Sequence, residues 1–577
     1  MKKYLSIILI LFSFIITAPA QEAAESIPQS ESDFWGETQQ TVDNIFALAN
    51  EQMAKVLFVN VNPNRSEGAT SIPLIIVLLL FGGIFFTFRY SFINIRMFGH
   101  SLRVVRGHYD DPEDQGEISH FQALTSALSA TVGLGNIAGV AVAISQGGPG
   151  AVFWMWIVAF FGMSSKFSSC TLAQMYRRIT PEAKDHGSAD AKHAAKANRQ
   201  HVLGGPMVFL AEGMKDVFGG KGKPIGATLA VIFAFFAIMG SLGGGNMFQG
   251  NQTFAIFGDV IFEQKIEHQA ELLTRIEAGD QTAAAELKQA EQTAHNKQAA
   301  LKKKYAWVGG LIMTVLVGLV IVGGIKRIGT VTSKLVPAMC LFYVGVCTAI
   351  LVTNFGEIPA MMSGIFKGAF SAKAVSWGGI MGVLVIGVKR GAFSNEAGLG
   401  SASIAHSAAK TTEPVREGLV AMLGPFVDTI VVCTMTALAI LITGAHEIGS
   451  AGSFTNEGVG ITASAFNTLS PVFTYMLAIA VFVFAYSTMI SWSYYGERAS
   501  EYLFGHKGIK TYRVVFLFFV FISPMISLDN VIGFTDLLIL SMAYPNILGM
   551  IILSGKVAEK AKDYRQRLKN GEMKPIR

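Results

Sequence analysis

Ala130-Thr131-Val132-Gly133-Leu134-Gly135-Asn136-Ile137-Ala138-Gly139-Val140 decides how this chain is read. It lies inside an apolar segment, 124–145, long enough to cross a bilayer. Gly133 and Gly135 flank a single residue and are followed at once by a polar asparagine. Non-helical backbone at that depth is tolerated where it is buried or lines a cavity, and an intramembrane polar group needs a partner. The stretch therefore predicts a helix broken at Gly133–Asn136. A break leaves free N–H groups and a positive dipole end on its second half, which suits a carboxylate. The first half ends in free carbonyls, which suit an ammonium or Na⁺. An amino-acid zwitterion and a sodium ion can share such a place without a charged side chain.

Working outward, the composition agrees. Apolar residues make up 51% and charged residues 15% of the 577 positions, and mean hydropathy is +0.44. A soluble domain is about a quarter charged. About eleven spans follow from the length a bilayer demands: 72–88, 124–145, 151–175, 225–257, 307–322, 335–353, 374–388, 418–443, 471–491, 514–528 and 531–554. Span seven is short and interrupted by Trp377-Gly378-Gly379-Ile380-Met381-Gly382. With span one set aside, span two opens the first five and span seven the second five. Interrupted segments at matching places in two halves point to a secondary transporter's binding site. Five spans per half is odd, so the halves are inverted. The expected fold is an all-α polytopic membrane protein with a 5+5 inverted repeat and broken helices.

Basic residues set the orientation. Arg89 to Arg106 follow span one, Arg177 and Arg178 span three, Lys326 and Arg327 span five, Lys389, Arg390, Lys410 and Arg416 span seven, and Arg498 to Arg513 span nine. Each odd span thus exits into a segment that belongs in the cytoplasm. Lys2 and Lys3, the apolar run to Ile16 and Ala18-Pro19-Ala20 read as a secretory signal over residues 1–20, either cleaved or kept as a short anchor. The expected organisation is a periplasmic polar tail at 21–71 with an interfacial helix near 46–61, then an extra span and cytoplasmic linker at 72–120. A transporter core at 121–554 and a cytoplasmic tail at 555–577 complete it. Residues 263–304 are rich in Ala, Glu, Gln and Lys and predict a periplasmic helical hairpin turning at Gly279-Asp280. It reads as a tolerated insertion, since loops accept insertions cheaply, ahead of a partner-binding element. Cys170, Cys340, Cys347 and Cys433 form no CxxC pair.

Gly135-Asn136-Ile137-Ala138-Gly139-Val140-Ala141 with Gly147-Gly148-Pro149-Gly150 resembles the alanine or glycine:cation symporter family. So do Gly387 to Ala402, which contain Ser394-Asn395-Glu396-Ala397-Gly398, as well as Phe426-Val427-Asp428-Thr429 and Trp492-Ser493-Tyr494-Tyr495-Gly496-Glu497-Arg498. The likeness covers roughly 121–554 and implies the leucine-transporter fold. Thr131 to Asn136 also resembles the broken first helix of the sodium-coupled neurotransmitter symporters. That resemblance implies that the amides of Leu134 and Gly135 meet a substrate carboxylate and that carbonyls near Ser129 and Val132 face sodium. Ser487 and Thr488 complete the sodium cage by the same resemblance. Back-bonding of both hydroxyls to the preceding turn is the plainer alternative.

Other candidates carry two readings each. Asn136 orients substrate, ligates a cation or caps the second half-helix. Asn246 and Gln249, beyond Gly243-Gly244-Gly245, line the substrate cavity or hydrogen-bond between helices. Trp377 restricts side-chain volume beside Gly378, Gly379 and Met381, or anchors at an interface. Asp428 senses cations or holds the bundle through Thr429 and Thr434. Asp536 is a further intramembrane carboxylate, which must be protonated, paired or solvated. Lys389, Arg390 and Glu396, at the cytoplasmic end of span seven, suggest a charge-paired inner gate, while ordinary topology-setting charges explain the first two equally well.

No HExxH, Walker loop, nucleophile elbow or Rossmann fingerprint occurs, so an enzyme is disfavoured. Two breaks within one polypeptide disfavour a channel. The expectation is Na⁺-coupled import of alanine or glycine by alternating access, with H⁺ coupling or serine as the alternative. No cofactor, nucleic acid or enzyme activity is expected. The partners are substrate, Na⁺ and the lipid of a bacterial inner membrane.

Overall fold

The computed structural model describes residues 34–61, 71–111, 113–181, 200–262, 269–278, 280–321, 324–370, 379–446, 458–573 and 575–576. The expected signal segment, Trp377 and Gly378 lie outside these residues. Among the described residues, two longer helices, α1 (Phe34–Leu57) and α2 (Leu74–Arg89), and two short ones, Ile93–Arg96 and Phe98–Val105, precede the core. The first five core spans begin with a broken one, α3 (His120–Thr131) and α4 (Ala138–Gly147), followed by α5 (Gly150–Tyr176). Next come strands β1 (Arg178–Pro181) and β2 (Gln200–Leu203), then α6 (Pro206–Phe218), α7 (Gly222–Leu242) and α8 (Phe248–Ile261). The hairpin is α9 (Gln269–Glu277) and α10 (Gln281–Ile321), and α10 runs on as a span. Helices α11 (Gly324–Thr353) and α12 (Ile358–Phe370) lead to a second broken pair, α13 (Gly379–Asn395) and α14 (Ala402–His406). The remainder is α15 (Pro414–Ile442), α16 (Val459–Asn467), α17 (Pro471–Phe504), α18 (His506–Ile522), α19 (Leu528–Ser541) and α20 (Ala543–Lys569).

Among the described residues, eight helices are long and apolar enough to cross a membrane. The broken α3–α4 pair, the shorter α2 and the broken α13–α14 pair complete the eleven expected spans. Broken helices stand at α3–α4 and at α13–α14. Local chemistry sets the ends. Ser119 and Gln122 form a capping box at the start of α3, and Ser470 caps α17 ahead of Pro471. Burial then sorts the helices by place. The apolar window of α19–α20 is 78% buried and sits centrally, whereas that of α10 is 28% buried and faces outward. At the hairpin turn Arg275 pairs with Asp280 and Glu286, while Asp280 accepts the Thr282 N–H at 2.9 Å. The end of the molecule that carries α9 is called the hairpin side below.

On the opposite side the chain closes around Arg177. Its guanidinium donates to the carbonyls of Ser407 (2.9 Å), Ala409, Gln115 (2.8 Å) and Thr411 (2.7 Å). Burial lowers the Arg177 pKa to about 10, so the charge survives at physiological pH. Ile118 and Ala409 form a parallel bridge beside it, tying the entry to α3 to the exit from α14. Each stranded carbonyl costs about 1–3 kcal/mol. Arg177→Ala should therefore lower the melting temperature in detergent by at least about 5 °C, read by differential scanning fluorimetry. Arg177→Lys should restore only part, because an ammonium lacks the planar fork.

Candidate functional site

The first break falls where the sequence placed it. α3 and the Leu134–Gly147 segment are bent by 57°, and Leu134–Asn136 forms one turn of 3₁₀ helix. Asn136 closes the gap itself: its Oδ1 accepts the Gly133 N–H at 2.9 Å. Its Nδ2 reaches the Asp428 carbonyl (3.0 Å) and Oδ2 (2.9 Å). The Leu134 N–H meets Gln249 Oε1 at 3.3 Å, while Gln249 Nε2 donates to the Gly244 carbonyl at 2.8 Å. A Cβ on Gly133 would stand 2.5 Å from Thr488 Oγ1, so only glycine lets α3 and α17 meet here.

The second break lies elsewhere than expected. Residues 379–395 are a continuous helix, and the chain turns at Glu396–Ser401. Glu396, Gly398 and Gly400 have φ of 54°, 84° and 91°. Left-handed backbone ends a helix sharply, and two of the three positions are glycine. Asn395 Oδ1 accepts the Ala397 N–H at 2.9 Å, Ser401 Oγ donates to Glu396, and Asn546 Nδ2 holds the Gly398 carbonyl at 2.7 Å. Gly379 stands instead at the start of α13, roughly 25 Å of helix before the turn. Gly379 has nothing within 4 Å of a built Cβ, and Met381 is 51% exposed. Neither belongs with the first break.

Asp428 joins the two breaks. Besides Asn136, it accepts the hydroxyls of Ser394 and Thr429, each at 2.7 Å. Asn395 Nδ2 donates to Thr429 Oγ1 at 3.1 Å. Thr434 serves Trp156 instead, accepting its indole N–H at 2.8 Å. Asp428 sits in a π-helical stretch, Phe426–Cys433, and Gly243–Met247 forms another; such wide turns are frequent at functional sites.

Between the breaks lies a narrow chamber of about 10 Å³, room for roughly one water. Ala130, Thr131, Gly133, Gly135, Gly244, Gln249, Phe393, Glu396, Trp492 and Ile539 line it. Trp492 Nε1 donates to the Ala130 carbonyl at 3.2 Å, and its ring fills the space beside Gly245, where a Cβ would stand 2.3 Å away. Thr131, Gly133, Gly135 and Gln249 are thus brought together. Leu134 joins through its amide and Asn136 from behind. Asn246 is not at the chamber: its Nδ2 donates to the Phe516 carbonyl at 2.7 Å, the helix-linking alternative. Trp492, Phe393, Gly244, Glu396 and Ile539 were missed as lining residues. Three successive glycines facing a tryptophan helix are the signal that could have found Trp492.

Beside the chamber, Thr488 Oγ1 donates to the Ser129 carbonyl at 3.0 Å, and Ser129 Oγ to the Ser487 carbonyl at 2.8 Å. Ser487 Oγ back-bonds to the Phe484 carbonyl at 2.9 Å. The carbonyl end of α3 and the adjacent hydroxyls of α17 therefore face one another, with Val132 leaving the helix at ψ 80°.

Lys389 and Arg390 do not lie past the break, where the expected inner gate had them. They precede it, on the hairpin side, and both pair with Asp536 of α19, Lys389 at 2.7 Å. Arg390 also lies 5.5 Å from the centre of the Phe393 ring. One turn further in, Phe393 and Ile539 line the chamber, so this ion pair caps it.

Residues 57–577 match the sodium:alanine symporter family. The sodium/alanine symporter AgcS of Methanococcus maripaludis is 39% identical over 86% of this chain and 95% of its own length. An uncharacterized transporter of Haemophilus influenzae is 35% identical over 86% and 94%. A probable sodium/glutamine symporter, GlnT of Bacillus subtilis, is 31% identical over 86% and 89%. With two broken helices enclosing a shared chamber and a match across nearly all the core, this chain belongs to the sodium:alanine symporter family.

Proposed function

We propose that the protein imports a small neutral amino acid, alanine or glycine, together with Na⁺ by alternating access. One observation carries the reading: both helix breaks border a chamber lined by glycine backbone, Ala130, Thr131, Ile539, one glutamine, one glutamate and two large rings. The free amides at Leu134 and Gly135 receive the substrate carboxylate, which displaces the long contact to Gln249 Oε1. Glu396 and the carbonyls ending α3 take the ammonium. Trp492 and Phe393 limit the side chain to about a methyl group. That supports alanine or glycine above glutamine, the substrate printed in the name of the Bacillus subtilis relative.

Sodium is a hard cation and takes oxygens. The carbonyls of Ser129 and Val132 with the hydroxyls of Thr488 and Ser487 form its cage once Thr488 and Ser487 turn from their present acceptors. Bound Na⁺ then stiffens the first break and readies the amides. The Arg390–Asp536 pair on the hairpin side and the Arg177 clamp opposite open in turn, and the N-terminal side faces the periplasm. Purified protein in proteoliposomes tests this. Labelled alanine should accumulate with an inward Na⁺ gradient and not with K⁺. Accumulation driven equally by a pH gradient without Na⁺ would replace the sodium reading with a proton-coupled one.

A further inference from the structure

α1 ends at Leu57, where the family match begins, yet it is bonded along the helix that carries the hairpin-side gate. The side chain of Ser527 makes no capping bond to α19. Asp43 of α1 does the work from outside: its Oδ1 accepts the Ser527 N–H, the Ser527 hydroxyl and the Asn530 amide, each at 2.8 Å. A turn or two along, Asn50 Nδ2 donates to the Asn530 carbonyl at 2.8 Å, and the Phe46 ring meets Phe534 edge-on at 5.1 Å. Past the end of α1, Phe58 lies 5.7 Å beneath the Lys389 ammonium, which itself pairs with Asp536. Tyr544 holds the Leu57 carbonyl at 2.9 Å. One accessory helix is thus bonded to α19, the helix that carries Asp536, and the residue just past its end lies under Lys389.

We infer that α1 is a strap that sets how readily the hairpin-side gate opens, with Asp43 as the residue that positions α19. This rests on reading Arg390–Asp536 as a gate. Asp536 and Ile539 ride on α19, so uncovering the chamber requires α19 to part from α13. A helix held by α1 from Ser527 to Phe534 does so only by breaking those contacts. The Asp43 carboxylate also complements the positive end of α19, and that stabilisation is lost when α19 swings away.

A reversible lock tests the strap. A Cβ built on Gly533 stands 3.8 Å from Asn50 Cβ, the separation of a disulfide. The double variant Asn50→Cys/Gly533→Cys, oxidised in proteoliposomes, should take up alanine about tenfold more slowly than when reduced, since a closed gate limits turnover. Reductant should restore the rate, and each single-cysteine variant should ignore the oxidant. In the opposite direction, Asp43→Ala should lower KM about fivefold, the size of one lost helix cap, with little change in maximal rate. Mere loss of folded protein would lower the maximal rate and spare KM. Uptake as fast oxidised as reduced, or an Asp43→Ala KM equal to that of the unmodified protein, overturns the strap alone. If the unmodified protein takes up nothing, the gate reading falls and the strap with it.

Discussion

Gly133→Ala is expected to lower Na⁺-driven alanine uptake by at least about 100-fold while the protein still inserts and purifies as a single species. The added methyl carbon would sit 2.5 Å from Thr488 Oγ1, closer than such atoms approach. Either α17 moves or the break does. A shift of about 1 Å in a positioned group costs on the order of 100-fold in rate, whereas overpacking one methyl costs about 1–3 kcal/mol of stability. Transport should therefore fail before folding does. Thr488→Ala separates the two roles of this contact. It keeps Gly133 but removes the hydroxyl proposed to ligate sodium, so the Na⁺ concentration for half-maximal uptake should rise by at least about tenfold. Ser487→Ala should do less if that hydroxyl keeps its bond to the Phe484 carbonyl. Half-saturation constants for Na⁺ in both variants, measured at fixed alanine, decide the matter. An unchanged constant in Thr488→Ala would remove this residue from the sodium cage.

Breaking the hairpin-side ion pair should have the second-largest effect. Arg390 and Asp536 are 2% and 1% exposed, and removing one partner of a buried pair costs about 3–5 kcal/mol because the other charge is stranded. Lys389 softens that loss, since its ammonium also reaches Asp536. Arg390→Ala should accordingly reduce net uptake about tenfold, by destabilising the closed chamber, and Lys389→Ala by about twofold. Exchange of internal for external alanine should suffer as well, because each exchange cycle also passes through a closed chamber. In Arg390→Gln/Asp536→Asn the buried charge is removed from both sides, and part of the activity should return. The double-mutant cycle, read as uptake rate, gives the coupling. Additive losses would show that the pair is not a unit and that the chamber is closed by Phe393 and Ile539 alone.

The first break and the membrane-spanning helices were legible in the chain because each depends on local chemistry. Two glycines and an asparagine in a twenty-residue apolar run leave the backbone no other solution, and bilayer thickness sets the repeat length. The second break was misplaced by about twenty residues for a related reason. Gly378-Gly379 looks like a break in the sequence, but Gly379 opens a continuous helix, and a glycine at a helix entrance breaks nothing. The true turn depends on Glu396 standing at positive φ, which no residue type advertises. Trp492 was missed because its part follows from an approach between helices more than two hundred residues apart in sequence. Asn246 and Gln249 share a helix face, yet only Gln249 looks into the chamber.

Sequence alone determined a membrane bundle and an interrupted first core helix, because periodicity, glycine placement and hydropathy act over short distances; the approach of that helix to Ser487 and Thr488 was implied by the family resemblance. Tertiary structure decided which face each helix turns inward, that Lys389 and Arg390 close the hairpin side against Asp536, and that Asp43 of the N-terminal helix caps the gate helix. Those outcomes depend on partners brought together from far along the chain, and the energy of a buried charge is set by its partner, which the chain does not name until it is folded.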